Sequence, residues 1–182
     1  MRKITAGLFV SVDGVMEAPE NWAPPLIDEE AGQAIGAQAA AADTMLLGRV
    51  TYETFAAAFM GDKQDDPFAA QMTNTPKYVV STTLQRAGWK NSALVSGDIA
   101  GQIGKLREQP GTNIAVSGSP TLVRWLLREG LLDELWLLVF PVIVGGGRHL
   151  FEDGAGQLPL KLTESKTYRT GVVSLRYEPA DR

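Results

Sequence analysis

Residues 44–60 read TMLLGRVTYETFAAAFM, and the change of period inside this stretch decides the fold class. Thr44 to Leu47 is a short apolar run of the kind that forms a buried strand. Gly48-Arg49 closes it. From Val50 to Met60, Tyr52, Phe55, Ala56 and Phe59 recur at helical spacing and share one face. A strand, a tight turn and a helix in immediate succession form half of a βαβ unit, in which the helix packs back onto the sheet that the strand belongs to.

The same alternation continues in both directions. Toward the amino terminus, Ile4 to Val10 is a strand that releases at Ser11-Val12-Asp13-Gly14. Residues 15–27 hold Pro19, Pro24 and Pro25 together with Asn21 and Trp22, which predicts a long structured loop without helix or strand. Asp28 caps or opens a helix running through Ala42, and Glu29 and Glu30 suit its positive amino-terminal end. Toward the carboxyl terminus, Lys77–Ser81, Ala93–Val95 and Asn113–Val116 read as strands. A helix is expected from about Asp98 to Arg107, and another holds Leu122, Trp125, Leu126 and Leu127. Leu135 to Val142 reads as a buried strand, because the apolar run that contains it is far too short to span a bilayer and includes Pro141. Leu160–Tyr168 and Val172–Tyr177 are separated only by Arg169-Thr170-Gly171, so they can pair only as antiparallel neighbours. The expected architecture is therefore α/β. Residues 1–182 form a single three-layer domain with a mixed, mostly parallel sheet, flanking helices and an antiparallel C-terminal hairpin.

Composition narrows the partners. Against 17 Lys and Arg the chain has 21 Asp and Glu, for a formal charge of -4, and its basic residues are scattered, so nucleic acid is not expected to bind. With no cysteine and one histidine, His149, neither a disulfide framework nor a thiolate metal site is possible, and no metal is expected. The first ten residues lack the apolar core and cleavage site of a signal peptide. The expected location is cytoplasmic, with no membrane partner.

In an open parallel sheet, ligands gather beyond the carboxyl ends of the strands, where helix starts present unpaired N–H groups. Three such ends carry suitable residues: Gly48-Arg49-Val50-Thr51, Ser81-Thr82-Thr83 and Ser117-Gly118-Ser119-Pro120-Thr121. Each alone reads as a turn, a loop or a helix start. Their recurrence suits a ligand with several phosphates, such as a dinucleotide, although none matches the six-residue glycine fingerprint or the phosphate loop with lysine.

The ordered set Phe9-Val10-Ser11-Val12-Asp13-Gly14, Leu46 to Glu53, Lys77 to Thr82, Val116-Ser117-Gly118-Ser119, Leu131 to Leu135 and Pro141 to Gly147 resembles the dihydrofolate-reductase-like superfamily over nearly the whole chain. It looks closer to the reductase domain of bacterial riboflavin biosynthesis and its stand-alone relatives. That resemblance implies an NADPH-dependent oxidoreductase transferring a hydride to a pterin-like or riboflavin-precursor-like heterocycle; the alternative is a non-catalytic nucleotide- or pterin-binding protein that keeps the fold. By the same resemblance Gly48, Arg49 and Thr51 match positions that hold cofactor phosphates, and Ser81 and Thr82 match those near the adenosine ribose and its 2′-phosphate. Gly118, Ser119 and Thr121 match the turn that receives the pyrophosphate, while Val10 and Ser11 would lie near the nicotinamide.

For the acid that assists protonation, Asp13 matches the Asp-Gly of the riboflavin-type reductases, and is equally an Asp-Gly turn. Asp28 lies roughly where dihydrofolate reductases place a substrate carboxylate, and is equally part of an acidic helix start. Trp22 is a candidate lid residue that could stack on a flat ring, or an aromatic packed beneath a loop. Phe140 is a candidate pocket wall, or core. Gly145 to Gly147 is either a second phosphate-facing turn or a connection between strands, and His149 reads as a surface or packing residue. A homodimer is expected through the C-terminal hairpin, whose edge strand alternates Lys161, Glu164 and Lys166 with Leu160 and Leu162, with Leu131, Leu132, Leu135 and Trp136 adding apolar bulk.

Overall fold

A computed structural model describes residues 1–61, 66–152 and 156–180. Eight strands form one sheet: β1 (Ile4–Ser11), β2 (Ala42–Gly48), β3 (Lys77–Val80), β4 (Ser92–Val95), β5 (Asn113–Val116), β6 (Glu134–Phe140), β7 (Leu160–Thr167) and β8 (Val173–Pro179), in the order β4-β3-β2-β5-β1-β6-β8-β7. The pairings from β4 to β6 are parallel. β8 runs antiparallel to both β6 and β7. The fold is thus α/β, with the antiparallel hairpin at one edge.

Side-chain alternation sorts the helices onto two faces. Ile4, Ala6, Leu8 and Val10 of β1, with Leu46 of β2, pack against α4 (Ile99–Glu108) and α5 (Pro120–Arg128). Met45 and Leu47, the other face of β2, pack under α2 (Arg49–Phe59) and α3 (Pro67–Asn74) through Tyr52, Phe55, Phe59 and Met72. On that same second face α1 (Glu29–Ala40) covers Trp136, Leu138 and Phe140 of β6. The period-two alternation of the strands therefore gives each helix layer its own apolar floor.

The helix starts follow their caps. Asp28 Oδ1 accepts from Ala31 N (2.9 Å), Asp98 Oδ1 from Gly101 N (3.0 Å) and Ser119 Oγ from Leu122 N (3.4 Å), each satisfying a donor that has no partner within the helix. Asp66 does the same for Phe68 N (2.9 Å), with Pro67 in the first turn. This Asp-Pro start opens α3, which the sequence reading passed over between Met60 and Lys77. At the other end of α3, Lys77, only 1% exposed, donates through Nζ to the carbonyls of Met72 (2.8 Å), Thr73 (3.1 Å) and Thr75 (2.7 Å), and lies 4.1 Å from the centre of the Trp89 ring. Burial, with the neighbouring charge of Lys90, lowers its pKa to about 8.

Three further expectations are revised. Residues 15–27 are not wholly without helix: 3-10 turns form at Pro19–Asn21 and Pro24–Leu26, each started by a proline whose fixed φ suits a first helical position. β6 ends at Phe140, before Pro141, which has no N–H to continue a ladder. Leu132, Leu135 and Trp136 are 2%, 0% and 3% exposed, because Leu132 and Leu135 pack into the cluster under α4 and α5 while Trp136 lies under α1 on the opposite face. They are core and add nothing to an external patch. The outer strand β7 is exposed from Lys161 to Thr167.

Candidate active site

The carboxyl ends of β2 and β5 meet. Gly48 N donates to Gly118 O (3.0 Å), and a Cβ on Gly48 would lie 3.0 Å from Ser119 N and fall on the Ser119 hydroxyl. The contact is reciprocal. Gly118 has φ +135°, and a Cβ there would come within 2.6 Å of Thr51 Oγ1. Only residues without a Cβ allow this approach. The result joins the first turn of α2, bearing Thr51, to that of α5, bearing Ser119, so two positive helix ends and two hydroxyls converge. Four of the residues singled out from sequence, Gly48, Thr51, Gly118 and Ser119, therefore form one cluster.

From this cluster a cleft of about 560 Å³ runs between α1 and the α2–α3 pair over the middle of the sheet. Its floor includes Gly7, Phe9, Met45, Ala115 and Trp136. Thr51 and Ser119 lie at its mouth, Ile35 and Gln38 form the α1 wall, and Phe55, Phe59, Phe68 and Met72 form the other. Gly7 leaves room for the Trp136 indole, whose Cε3 would be 3.2 Å from an added Cβ. The volume lies within the usual range for small-molecule sites, roughly 300 to 1,000 Å³.

The other sequence-selected residues fall around the cleft in different ways. Arg49 begins α2 half exposed and pairs with Glu53 one turn on (2.8 Å). Thr121 is exposed on the first turn of α5. Ser81 is buried, and its hydroxyl accepts from Thr83 N (3.2 Å) and Leu84 N (2.9 Å), closing the turn after β3, while Thr82 is exposed. Val10 points to the α4–α5 side of the sheet, and its neighbour Phe9 reaches the cleft instead. Ser11 is 1% exposed and accepts through Oγ from Val15 N (2.9 Å).

Asp13 is an anchor. Its Oδ1 accepts from Ser11 Oγ (2.6 Å) and Val144 N (3.1 Å), and its Oδ2 from Gly145 N (2.8 Å). The bonds from Ser11, Gly145 and Val144 together hold its pKa near 2, so it is a carboxylate at neutral pH. The N–H groups of Val144 and Gly145 donate to this carboxylate, so these two donors are occupied. The same loop is tied down by Glu17 Oε2, which accepts from Arg148 N (2.8 Å), and by the Val15–His149 bridge. Asp28 does cap α1; its Oδ2 is buried without a partner. Trp22 donates to Glu17 O (3.1 Å) and meets Phe140 edge-on at 5.5 Å, while Phe140 is fully buried and 5.2 Å from Phe9. Trp22 packs beneath its loop, and Phe140 backs the cleft from behind Phe9.

The walls follow from no contiguous motif. The spacing of Phe55 and Phe59 shows only that they share one helical face; with Phe68 they form a row of edge-to-face rings 5.9 and 5.4 Å apart that borders the cleft. Only the Asp66-Pro67 helix start hinted that Phe68 and Met72 would join them. Arg148, Glu17 and Glu20 also line the cleft, without a local motif to announce them.

Residues 2–174 match the family defined by the RibD C-terminal domain. A Bacillus subtilis protein, YyaP, is 27% identical over 184 residues, covering 97% of this chain and 94% of its own. A solved structure described as a riboflavin biosynthesis protein from a Shewanella species covers all of both chains with TM-score 0.79 at 21% identity. Dihydrofolate reductase from Enterococcus faecalis, complexed with NADP(H), matches with TM-score 0.66 at 13% identity over 98% of this chain and 97% of its own. Among the described residues no helix is long and apolar enough to cross a membrane.

Proposed function

The chain belongs to the RibD C-terminal domain family, and on that premise we propose that it is a cytoplasmic NADPH-dependent reductase that transfers a hydride to a pterin-like or riboflavin-precursor-like heterocycle. The observation that carries this reading is the convergence of Gly48, Thr51, Gly118 and Ser119, of which Thr51 and Ser119 line the cleft. Bare backbone and two helix starts suit a pyrophosphate, which needs N–H donors and close approach more than bulk. Arg49 and Thr82 are exposed enough to reach a 2′-phosphate, Arg49 by exchanging Glu53 for it. When bound, the nicotinamide supplies the hydride.

What the protein does is hold and enclose. Gly7 and Phe9 would lie beneath the reacting rings, Phe140 supports Phe9, and Trp22 keeps the 15–27 loop seated over that support. Asp13 acts as a positioning residue: ionised, it fixes the 144–145 segment beside the end of β1, and the proton that completes reduction comes from solvent. Because the candidate acid is held as an anion away from the cleft, a second reading has support, in which the chain binds the same ligands without turnover.

Two measurements separate these readings. Millimolar NADPH should raise Tm, since ligand at 100 times its Kd adds about 2.7 kcal/mol; no shift would remove both. Stopped-flow oxidation of NADPH with dihydropterin and pyrimidinone acceptors should then show a decay that depends on acceptor, and its absence would leave only binding.

We also propose a homodimer formed at the exposed edge of β7, where Leu162 is 49% exposed between Lys161 and Thr163. Light scattering during gel filtration should give twice the chain mass at micromolar concentration. A single-chain mass would refute it.

A further inference from the structure

The charge around the cleft is unevenly distributed. Among the described residues its charged lining is Glu17, Glu20 and Arg148, all in the loops beyond β1 and β6. Between α1 and α2–α3 the described lining is neutral: Phe55, Phe59, Phe68 and Met72 face Ile35, with Gln38, Thr54, Gln71 and Thr75 as uncharged polar groups.

Among the described residues, Lys77 and Arg176 lie near these walls and are engaged elsewhere. Lys77 lies behind α3 with Nζ donating to three carbonyls, two of them on the cleft-lining residues Met72 and Thr75. Arg176 lies behind Gln38, donates to its Oε1 (3.1 Å), and is paired with Glu134 (2.5 Å) and Glu164 (3.6 Å). Neither is available to a ligand without dismantling the wall that it supports.

We propose that this half of the cleft selects an uncharged planar heterocycle and excludes analogues bearing a phosphate or carboxylate tail, with Phe68 and Met72 setting the choice. The inference rests on the reductase reading for where the cofactor lies, and names the substrate class of the same site. A phosphomonoester carries a charge of roughly -1.5 to -2 at pH 7. Entering this trough it would lose hydration and meet no cation among the described residues there, while at the other end Glu17 and Glu20 set two carboxylates against the one cation, Arg148. A neutral flat ring loses little hydration and gains edge and face contacts with the phenylalanine row, whose spacing lies within the range that aromatic pairs favour. Apolar surface and the absence of a counter-charge thus act in the same direction.

Matched probes test this. Riboflavin and riboflavin 5′-phosphate share one ring system and differ by the phosphate; 7,8-dihydrobiopterin and 7,8-dihydrofolate contrast a neutral tail with a glutamate tail. Affinities are measured by fluorescence quenching and calorimetry on the full chain, with and without saturating NADP+, which blocks the helix-start cluster. Each neutral probe should bind at least about 50-fold more tightly than its charged partner. Affinities within threefold in either pair, or no binding of the neutral probes at millimolar concentration, would overturn the proposal. Failure of the cofactor reading is seen separately, as no NADP+ shift in Tm, and the ratios measured without NADP+ still decide the selectivity. Phe68 is half exposed, so Phe68→Arg should preserve the fold, checked by circular dichroism and Tm. It should shift the ratio of riboflavin 5′-phosphate to riboflavin affinity by about tenfold or more toward the phosphate, as expected of one new charge-assisted contact and one lost ring contact. An unchanged ratio in a folded Phe68→Arg would remove Phe68 from the selectivity.

Discussion

The mouth of the cleft and its far wall are built by opposite means. At the mouth, Gly48 and Gly118 let backbone touch backbone, and the chemistry comes from helix ends and short hydroxyls. At the wall, bulky rings on α2 and α3 are held in place by groups buried behind them, chiefly Lys77. The mouth therefore depends on absent side chains, and the wall on one long side chain that never reaches the ligand. Each half should fail in its own way.

The largest effect is expected at the wall. Lys77→Met removes the buried group that satisfies three half-buried carbonyls at the end of α3. A fully buried acceptor left unsatisfied costs about 1 to 3 kcal/mol, so with three half-buried ones a combined loss of about 3 kcal/mol is expected in urea unfolding. A loss below about 1 kcal/mol would show that α3 holds itself. At the mouth, Gly118→Ala forces a Cβ against Thr51 Oγ1 at a positive φ. It should cost about 1 to 3 kcal/mol of stability and weaken NADPH at least about tenfold. Normal affinity in this variant would show that the meeting of the two helix starts is not needed for cofactor.

This contrast also explains what could be read in the sequence. Mouth residues lie in contiguous motifs, Gly48 to Thr51 and Gly118 to Thr121, whose geometry follows from a strand ending where a helix begins, so position and neighbourhood were both legible. Parallel order and the C-terminal hairpin were legible for the same reason, as the Arg169-Thr170-Gly171 connection permits only one pairing. Wall residues come from separate elements brought together by packing. Phe55 and Phe59 show a helical face without showing whether core or cleft lies beneath it. Leu135 and Trp136 gave the opposite error, since apolar bulk suggested an outer patch where helices on both faces cover β6. Asp13 was legible as an acid near the site, but not as the partner of Val144 and Gly145, more than a hundred residues away in the chain.

A smaller effect separates binding from folding at the mouth. Arg49 pairs with Glu53 on the surface of α2, where both side chains are nearly half exposed. An exposed pair of this spacing contributes about 0.3 to 0.5 kcal/mol, so Arg49→Ala should leave Tm almost unchanged. If Arg49 turns to a cofactor phosphate, the variant should lose about 1.5 to 3 kcal/mol of NADPH affinity by calorimetry, with a smaller loss for NADH. Equal losses for the two cofactors would remove Arg49 from the 2′-phosphate.

The smallest effect concerns the segment that links the two halves to the end of β1. Asp13 has a folded pKa of about 2, lowered from 3.8 by bonds from Ser11, Gly145 and Val144. Between those two values the unfolded chain binds the proton that the folded chain refuses, so the stabilisation from this group is fully present above about pH 4 and is lost as pH falls toward 2. Asp13→Asn keeps the shape but replaces one accepting oxygen with an amide donor, which cannot serve both Ser11 and the 144–145 backbone. The variant should therefore be slightly less stable at pH 7, and its difference from the wild-type chain should shrink across that acid window. Because the anchor acts on loop geometry and supplies no proton, Asp13→Asn should raise KM for the heterocycle more than it lowers kcat, and the pH profile of kcat should keep its shape. A kcat that collapses at neutral pH with KM unchanged would return Asp13 to the chemistry and make the loop contact incidental.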